Sequence, residues 1–377
     1  MLSHMHPQLA EFFQYRLAQQ ELMKELGESG AALSMQQDLR ALRGWYKLFG
    51  QRVGGPILDM AEVSDLVADT DERPIRLRRY RPDITAMEAS APSVTGTNTQ
   101  TPSHLSTAQP AAADPHHAGG TASGSDPHLG APALIYFHGG GWSVGDLDTH
   151  DRVCRRLAHA AQAIVIAVDY ALAPELPWPQ APHDSIAATR WILQNAASLG
   201  IDARRVGVTG DSAGGNLAAI VALALPQLAC QILIYPATDL RSGFHPQYPS
   251  LRDNAQRPPL TTEQMAEHMR LYLDGQEAHA RHPQASPLLA PSHRGTAPAL
   301  IITAELDPLR DDGAAYAQKL AADGVDVLHR NYAGLTHGFI EMAGVLDCVP
   351  ETFALMAQWF LACCRQATAS GSARPSA

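Results

Sequence analysis

Gly210-Asp211-Ser212-Ala213-Gly214-Gly215 is the stretch on which the reading of this chain turns. It follows Arg205-Val206-Gly207-Val208-Thr209 and precedes Asn216-Leu217-Ala218-Ala219-Ile220-Val221, so a strand, a tight turn and a helix are predicted in succession. A serine flanked by glycines two residues away on either side, in that context, has the spacing of a nucleophile elbow. Gly210 and Gly214 leave room where a Cβ would clash, and the helix directs its positive end at Ser212. The turn carries neither G-x-G-x-x-G nor G-x-x-x-x-G-K, which sets it apart from phosphate-binding loops.

A second stretch, His138-Gly139-Gly140-Gly141-Trp142, follows the apolar run Ala133-Leu134-Ile135-Tyr136-Phe137. Glycines after a buried strand can turn their amides outward, which suits an oxyanion cradle. Gly139, Gly140 and Ala213, just after the serine, are the candidate donors. His138 reads as a brace for the loop rather than a base.

A serine hydroxyl needs an adjacent base, and the base needs an orienting acid. Chain order serine, acid, histidine points to late loops. His337, in Gly334-Leu335-Thr336-His337-Gly338-Phe339, lies between the run 325–332 and the last helix. Asp307, in the turn after Ala299–Thr303, is the candidate acid, with Glu305 as its competitor. Asp311 and Asp312 read as the acidic start of the next helix. Trp142, Asp211, Tyr235 and Phe339 are the candidate pocket residues. For Trp142 and Phe339 the alternative is packing beneath the pocket, and for Asp211 it is bracing of the elbow.

Outside these motifs, strand and helix alternate. Apolar runs occur at 133–137, 163–168, 205–209, 231–235, 299–303 and 325–332, with helical stretches at 149–161, 183–198, 213–225, 312–322 and 351–365. Such alternation predicts an α/β fold with a mostly parallel sheet covered on both faces. Val63–Ala68 and Ile75–Tyr80 read as an antiparallel pair at its edge. Two N-terminal stretches, 8–26 and 36–49, have helical spacing. The long connection 236–298 holds a further helix with Met265, Met269, Tyr272 and Leu273 on one face, opened by Thr261 and Gln264 at capping-box spacing.

Residues 83–131 contain no aromatic residue, no Lys and no Arg, and read as a disordered insertion. Their four histidines, at 104, 116, 117 and 128, have no metal-ligand spacing. No metal or cofactor is expected. The chain has 377 residues, is 45% hydrophobic and carries a net charge of −10, which argues against nucleic acid and anionic membrane surfaces as partners. No apolar run reaches a membrane-spanning length, and residues 1–11 lack the pattern of a secretory signal. Five scattered cysteines fit reduced thiols in a cytoplasmic protein.

Taken together, His138–Trp142, Asp169-Tyr170-Ala171-Leu172-Ala173-Pro174-Glu175, Gly210–Gly215, Asp307-Pro308-Leu309-Arg310-Asp311 and His337-Gly338-Phe339 resemble the hormone-sensitive-lipase-like, bacterial family IV esterases of the α/β-hydrolase superfamily. Tyr80-Arg81-Pro82 and Tyr235-Pro236 are similar to that family too. The resemblance covers about 50–367 apart from the insertion. It implies an eight-stranded sheet, a triad of Ser212, Asp307 and His337, and a cradle from Gly139, Gly140 and Ala213. It implies a helical cap from 1–49 and 241–275 over a core of 50–82, 132–240 and 276–367, with 368–377 as a disordered tail. A small-molecule ester is the implied partner, short to medium in chain length, and the resemblance leaves room for a homodimer. His183 stands where the family usually has an acid. An amidase, arylformamidase or deacetylase with the same triad is the alternative. A ligand-binding receptor on a disabled scaffold is a second, disfavoured by the intact His337.

Overall fold

The computed structural model describes residues 4–14, 39–83 and 130–370. Its centre is an eight-stranded sheet in the order β1-β2-β4-β3-β5-β6-β7-β8. The strands are β1 (Glu62–Asp69), β2 (Pro74–Arg81), β3 (Ala131–Phe137), β4 (Ile164–Val168), β5 (Ile201–Asp211), β6 (Gln231–Ile234), β7 (Ala299–Ala304) and β8 (Val327–Tyr332). β2 is antiparallel to β1 and to β4, and every other neighbouring pair is parallel.

The inner strands are apolar on both faces because helices cover both. Ile135 and Phe137 of β3 join one core, with Leu217, Ile220 and Leu320. Their neighbours Leu134 and Tyr136 join the other, with Leu157, Phe353 and Phe360. The period of two along a strand sends alternate side chains to opposite faces. The helices involved are α2 (Asp151–Ala161) and α8 (Val349–Ser370) on one face, and α3 (Gln180–Gln194), α4 (Ala213–Ala224) and α7 (Arg310–Ala322) on the other. The edge strands β1 and β8 are only partly covered and carry polar residues accordingly.

Several boundaries differ from the sequence reading. β5 starts at Ile201 rather than 205, because Ile201 pairs with Ala131 before a register shift carries the strand on to Val206 and Ala133. α3 starts at Gln180, three residues ahead of the expected 183, since Pro182 in a first turn forfeits no helical hydrogen bond. α8 runs to Ser370, past the expected start of a tail at 368.

α1 (Leu39–Val53) crosses the expected boundary at 49/50, and residues 7–14 are helical. Of the expected helix at 8–26, insertion at 83–131 and tail at 368–377, residues 15–26, 84–129 and 371–377 lie outside the described residues, and Ala131, expected in the insertion, opens β3 because it pairs with Ile201. Within 236–298 the chain forms two α-helices, α5 (Ser250–Asp253) and α6 (Thr262–Tyr272), among short 3-10 turns. α6 opens with the Thr261/Gln264 capping box.

Candidate active site

The C-terminal ends of the parallel strands are where an α/β sheet places its ligand. β5 ends at Asp211, and Ser212 turns the chain into α4 with φ 56° and ψ −118°. That is a strained conformation for a residue with a Cβ, and it lifts the hydroxyl out of the sheet. A Cβ on Gly214 would run into the Phe137 carbonyl, so the tight passage of α4 behind β3 requires glycine there.

Ser212, His337 and Asp307 come together in one hydrogen-bonded line. Ser212 Oγ lies 2.9 Å from His337 Nε2, and His337 Nδ1 lies 2.7 Å from Asp307 Oδ2. Asp307 is fully buried, and its Oδ1 accepts the Leu309 N–H at 2.8 Å. Burial lowers the His337 pKa, but the charge and hydrogen bond of Asp307 outweigh it, and the net shift is upward. The competing acids are committed elsewhere. Glu305 accepts the Gly334 N–H at 2.7 Å and so braces the loop that carries His337. Asp311 accepts the Ser250 N–H, and Asp312 is buried against Thr238.

The cradle differs from expectation at one position. The Gly139 N–H donates to Asp211 Oδ1 at 2.9 Å, so it does not face the serine. Gly140 and Gly141, at φ 118° and 56°, have N–H groups without an acceptor among the described residues, as has Ala213 at the first position of α4. The donors left are therefore Gly140, Gly141 and Ala213, with Gly141 in the place assigned to Gly139. His138 braces the loop: its Nδ1 lies 2.8 Å from the Gly139 carbonyl and its ring stacks on Tyr170 at 4.3 Å.

Above Ser212 is a cleft open to solvent, walled by α1 through Leu42, Trp45, Tyr46 and Phe49 and by α6 through Met265, His268 and Met269. Arg43 pins α1 to the core, donating to both Glu175 oxygens and to the Ser143 and Ala173 carbonyls. Trp142 and Asp211 line the cleft. Tyr235 and Phe339 do not. They pack behind His337, with ring centroids 4.6 Å between Tyr235 and His337 and 5.6 Å between Tyr235 and Phe339. Beside His183, which lies 3.9 Å from Glu72, buried Asp184 accepts from Arg73 and the Ala171 N–H.

Two polar wall residues carried no sequence motif. His268 follows Met265 by one helical turn, a spacing that places it on the same face, and its Nδ1 lies 2.7 Å from Ser143 Oγ. Glu341 ends the short turn after Gly338, where nothing in the sequence marks it.

His150, Asp211 and Glu341 present donor atoms within 4.8 Å of one another, all buried, and these are metal-ligand types. Their hydrogen bonds fit an imidazolium better than a metal. The Thr149 hydroxyl donates to the Asp146 carbonyl, which leaves His150 Nδ1, 2.9 Å away, to donate to it. His150 Nε2 faces Asp211 Oδ1 at 3.3 Å. Burial opposes the charge on His150, but Asp211 and then Glu341 raise its pKa to about 8.

Comparison with known proteins agrees with this geometry. Residues 134–341 match the family model described as alpha/beta hydrolase fold. The carboxylesterase NlhH of Mycobacterium tuberculosis is 45% identical over 228 residues, 58% of this chain and 70% of that protein. The ethyl acetate hydrolase of Pseudomonas putida is 39% identical over 241 residues, 62% of this chain and 74% of that protein. Among solved structures, an esterase of Pyrobaculum calidifontis superposes with a TM-score of 0.72 at 31% identity, covering 88% of this chain and 95% of that one. With its sheet order, its serine elbow and these relatives, the chain belongs to the α/β-hydrolase-fold family, in the hormone-sensitive-lipase-like branch of carboxylesterases.

Proposed function

We propose that this protein is a serine carboxylesterase acting on short- to medium-chain esters through an acyl-enzyme. The observation that carries this reading is the continuous line from Ser212 Oγ through His337 to buried Asp307, beneath a largely apolar cleft. His337 Nε2 takes the serine proton as Oγ attacks the ester carbonyl, and the carbonyl electrons move onto oxygen. Asp307 holds the ring in the tautomer that leaves Nε2 free and stabilises the imidazolium that forms. Gly140, Gly141 and Ala213 N–H groups receive the oxyanion, each worth about 3–4 kcal/mol by analogy with single-donor deletions. The intermediate collapses, the alkoxide leaves with the proton from His337, and water deacylates the serine by the same route.

The N-terminal helices and the segment 241–275 act as the cap in this reading, supported by α1 and α6 lining the cleft. A fluorophosphonate would label Ser212 of the wild type. Replacing Ser212 with Ala would abolish turnover of a short p-nitrophenyl ester, and turnover near the wild-type rate would rule the mechanism out. Parallel assays on an ester and its matching amide separate the esterase from an amidase.

Among the described residues no helix is long and apolar enough to cross a membrane.

A further inference from the structure

The oxyanion loop passes through three left-handed residues in succession, Gly140, Gly141 and Trp142, at φ 118°, 56° and 57°. Such a run does not hold itself, and a non-glycine residue in it persists only where its surroundings fix it. On the core side the Ala173 N–H donates to the Trp142 carbonyl at 2.8 Å. Within the loop the Ser143 and Val144 N–H groups donate to the Gly140 carbonyl at 3.1 and 3.0 Å. Two further holds come from α6, the helix over the cleft.

His268 and Tyr272 stand four residues apart on α6, one turn along the same face. The Tyr272 ring stacks on Trp142, 4.4 Å between centroids and 6° between planes. The His268 ring lies against Gly141, where a Cβ would meet its Cγ at 2.4 Å. Its Nδ1 is 2.7 Å from Ser143 Oγ. Ser143 is fully buried and its hydroxyl has no other partner among the described residues, so it donates to Nδ1. Burial, then the His337 charge, lowers the His268 pKa to about 4, which keeps the ring neutral and able to accept. Thus α6 touches three consecutive loop residues, Gly141, Trp142 and Ser143, the first of which carries a cradle N–H. α1 meets the same joint, where Arg43 Nε donates to the Ser143 carbonyl at 2.9 Å.

We propose that His268 is a positioning residue that couples α6 to the oxyanion cradle, fixing the direction of the Gly140 and Gly141 N–H groups through Ser143 and through its packing on Gly141. The inference rests on the esterase reading and deepens it: α6 serves the transition state as well as walling the cleft, so its contribution does not depend on the chain of the ester.

The test compares wild type with three variants. His268→Phe keeps a ring on Gly141 without an acceptor, His268→Asn keeps an acceptor near the Nδ1 position, and Ser143→Ala removes the hydroxyl. Values of kcat and KM are measured for p-nitrophenyl acetate, butanoate and hexanoate, per Ser212 titrated to completion with a fluorophosphonate. Inhibition is measured with an alkyl trifluoromethyl ketone. Ser212 Oγ adds to its carbonyl carbon, the carbonyl electrons settle on oxygen, and the serine proton passes to His337. His268→Phe and Ser143→Ala should each lower kcat by roughly 10- to 100-fold, equally for all three esters and with KM within about threefold, since the cradle donors are displaced rather than deleted. The inhibition constant of the ketone should rise in step. The double variant should lose little more than either single one, because both act through one bond. His268→Asn should recover part of the loss, and Ser143→Ala carries the test if His268→Phe does not fold. A loss confined to KM and varying with chain length overturns the inference and leaves the esterase reading intact. So does a lower melting temperature with kcat and inhibition unchanged. Absence of both turnover and ketone inhibition in wild type overturns both readings.

Discussion

The Gly139 N–H points at the Asp211 carboxylate, 2.9 Å away, and not into the cleft. Asp211 therefore acts on the reaction from behind, holding the first glycine of the loop so that the next two can face Ser212. The same Oδ1 also accepts the Tyr136 hydroxyl at 2.6 Å and faces His150. Replacing Asp211 with Ala should lower kcat by about 10–100-fold with a smaller change in KM, because the cradle donors lose their positions. Asp211→Asn should fall between, since an acceptor oxygen remains. Steady-state kinetics on a short p-nitrophenyl ester decide it, and a change confined to KM would contradict a positioning role.

Asp307 is buried with both oxygens occupied, one by His337 and one by the Leu309 N–H. Asp307→Asn preserves that shape but favours the wrong imidazole tautomer. A kcat loss on the order of 10⁴ is expected, with a native far-UV spectrum. A loss below tenfold would mean that another acid orients His337.

The pH dependence follows from the direction of the His337 shift. Asp307 raises the pKa of the imidazole, and only the neutral ring accepts the serine proton. Activity should be low in acid and rise through an apparent pKa above the ordinary histidine value of about 6.5. A kcat/KM profile between pH 5 and pH 9 measures it, and a midpoint well below that value would disagree with the buried carboxylate.

His138 links the loop to acid stability. The ring is 3% exposed, Nδ1 donates to the Gly139 carbonyl, and Nε2 is buried without a partner. Burial first, then the neighbouring His150 charge, lowers its pKa to about 4. A folded pKa below the unfolded value means that the unfolded chain binds the proton more tightly. Stability from this group is complete above about pH 6.5 and is lost as the pH falls toward 4, at roughly 3 kcal/mol in full. Thermal melts of wild type and His138→Gln across that interval should show a shallower slope in the variant. Parallel curves would assign the acid sensitivity to other groups.

The two ends of the insertion lie far from Ser212 in topology. Gly130 precedes β3, whose first residue donates its N–H to the Gly200 carbonyl ahead of β5, whereas Ser212 follows the other end of β5. Arg81, Pro82 and Ala131 share a surface hollow with Ala163 and Gly200, all at the N-terminal ends of the parallel strands. Replacing 84–129 with a short Gly/Ser linker should leave kcat/KM within a few-fold. A drop of roughly 100-fold in a folded protein would show that the segment reaches the cleft.

Much of this molecule was legible from residue order. Strand β3 could be read from Ala133–Phe137 because burial on both faces demands an unbroken apolar run. Ser212 and His337 could be named because only certain residue types do that chemistry and because each stands in a turn after a strand, whereas Asp307 and Glu305 share that turn and the family resemblance chose between them. The boundaries that moved did so for local reasons that pattern does not carry, such as the pairing of Ile201 with Ala131. Tyr235 is not the cleft residue expected, and Phe339 takes its alternative place in the packing, because proximity in sequence to the elbow and to His337 says nothing about which side of the imidazole a ring occupies.

The sequence by itself determined the sheet, the serine turn and the candidate base, since periodicity and side-chain chemistry are properties of the chain as written. Only the tertiary structure decided which glycine amides face the serine and which polar groups border the cleft. An N–H direction depends on φ and ψ and on a partner 72 residues away at Asp211. The wall depends on how α1 and α6 pack over Ser212, and that packing alone brings His268 and Glu341 to the substrate's side of the fold.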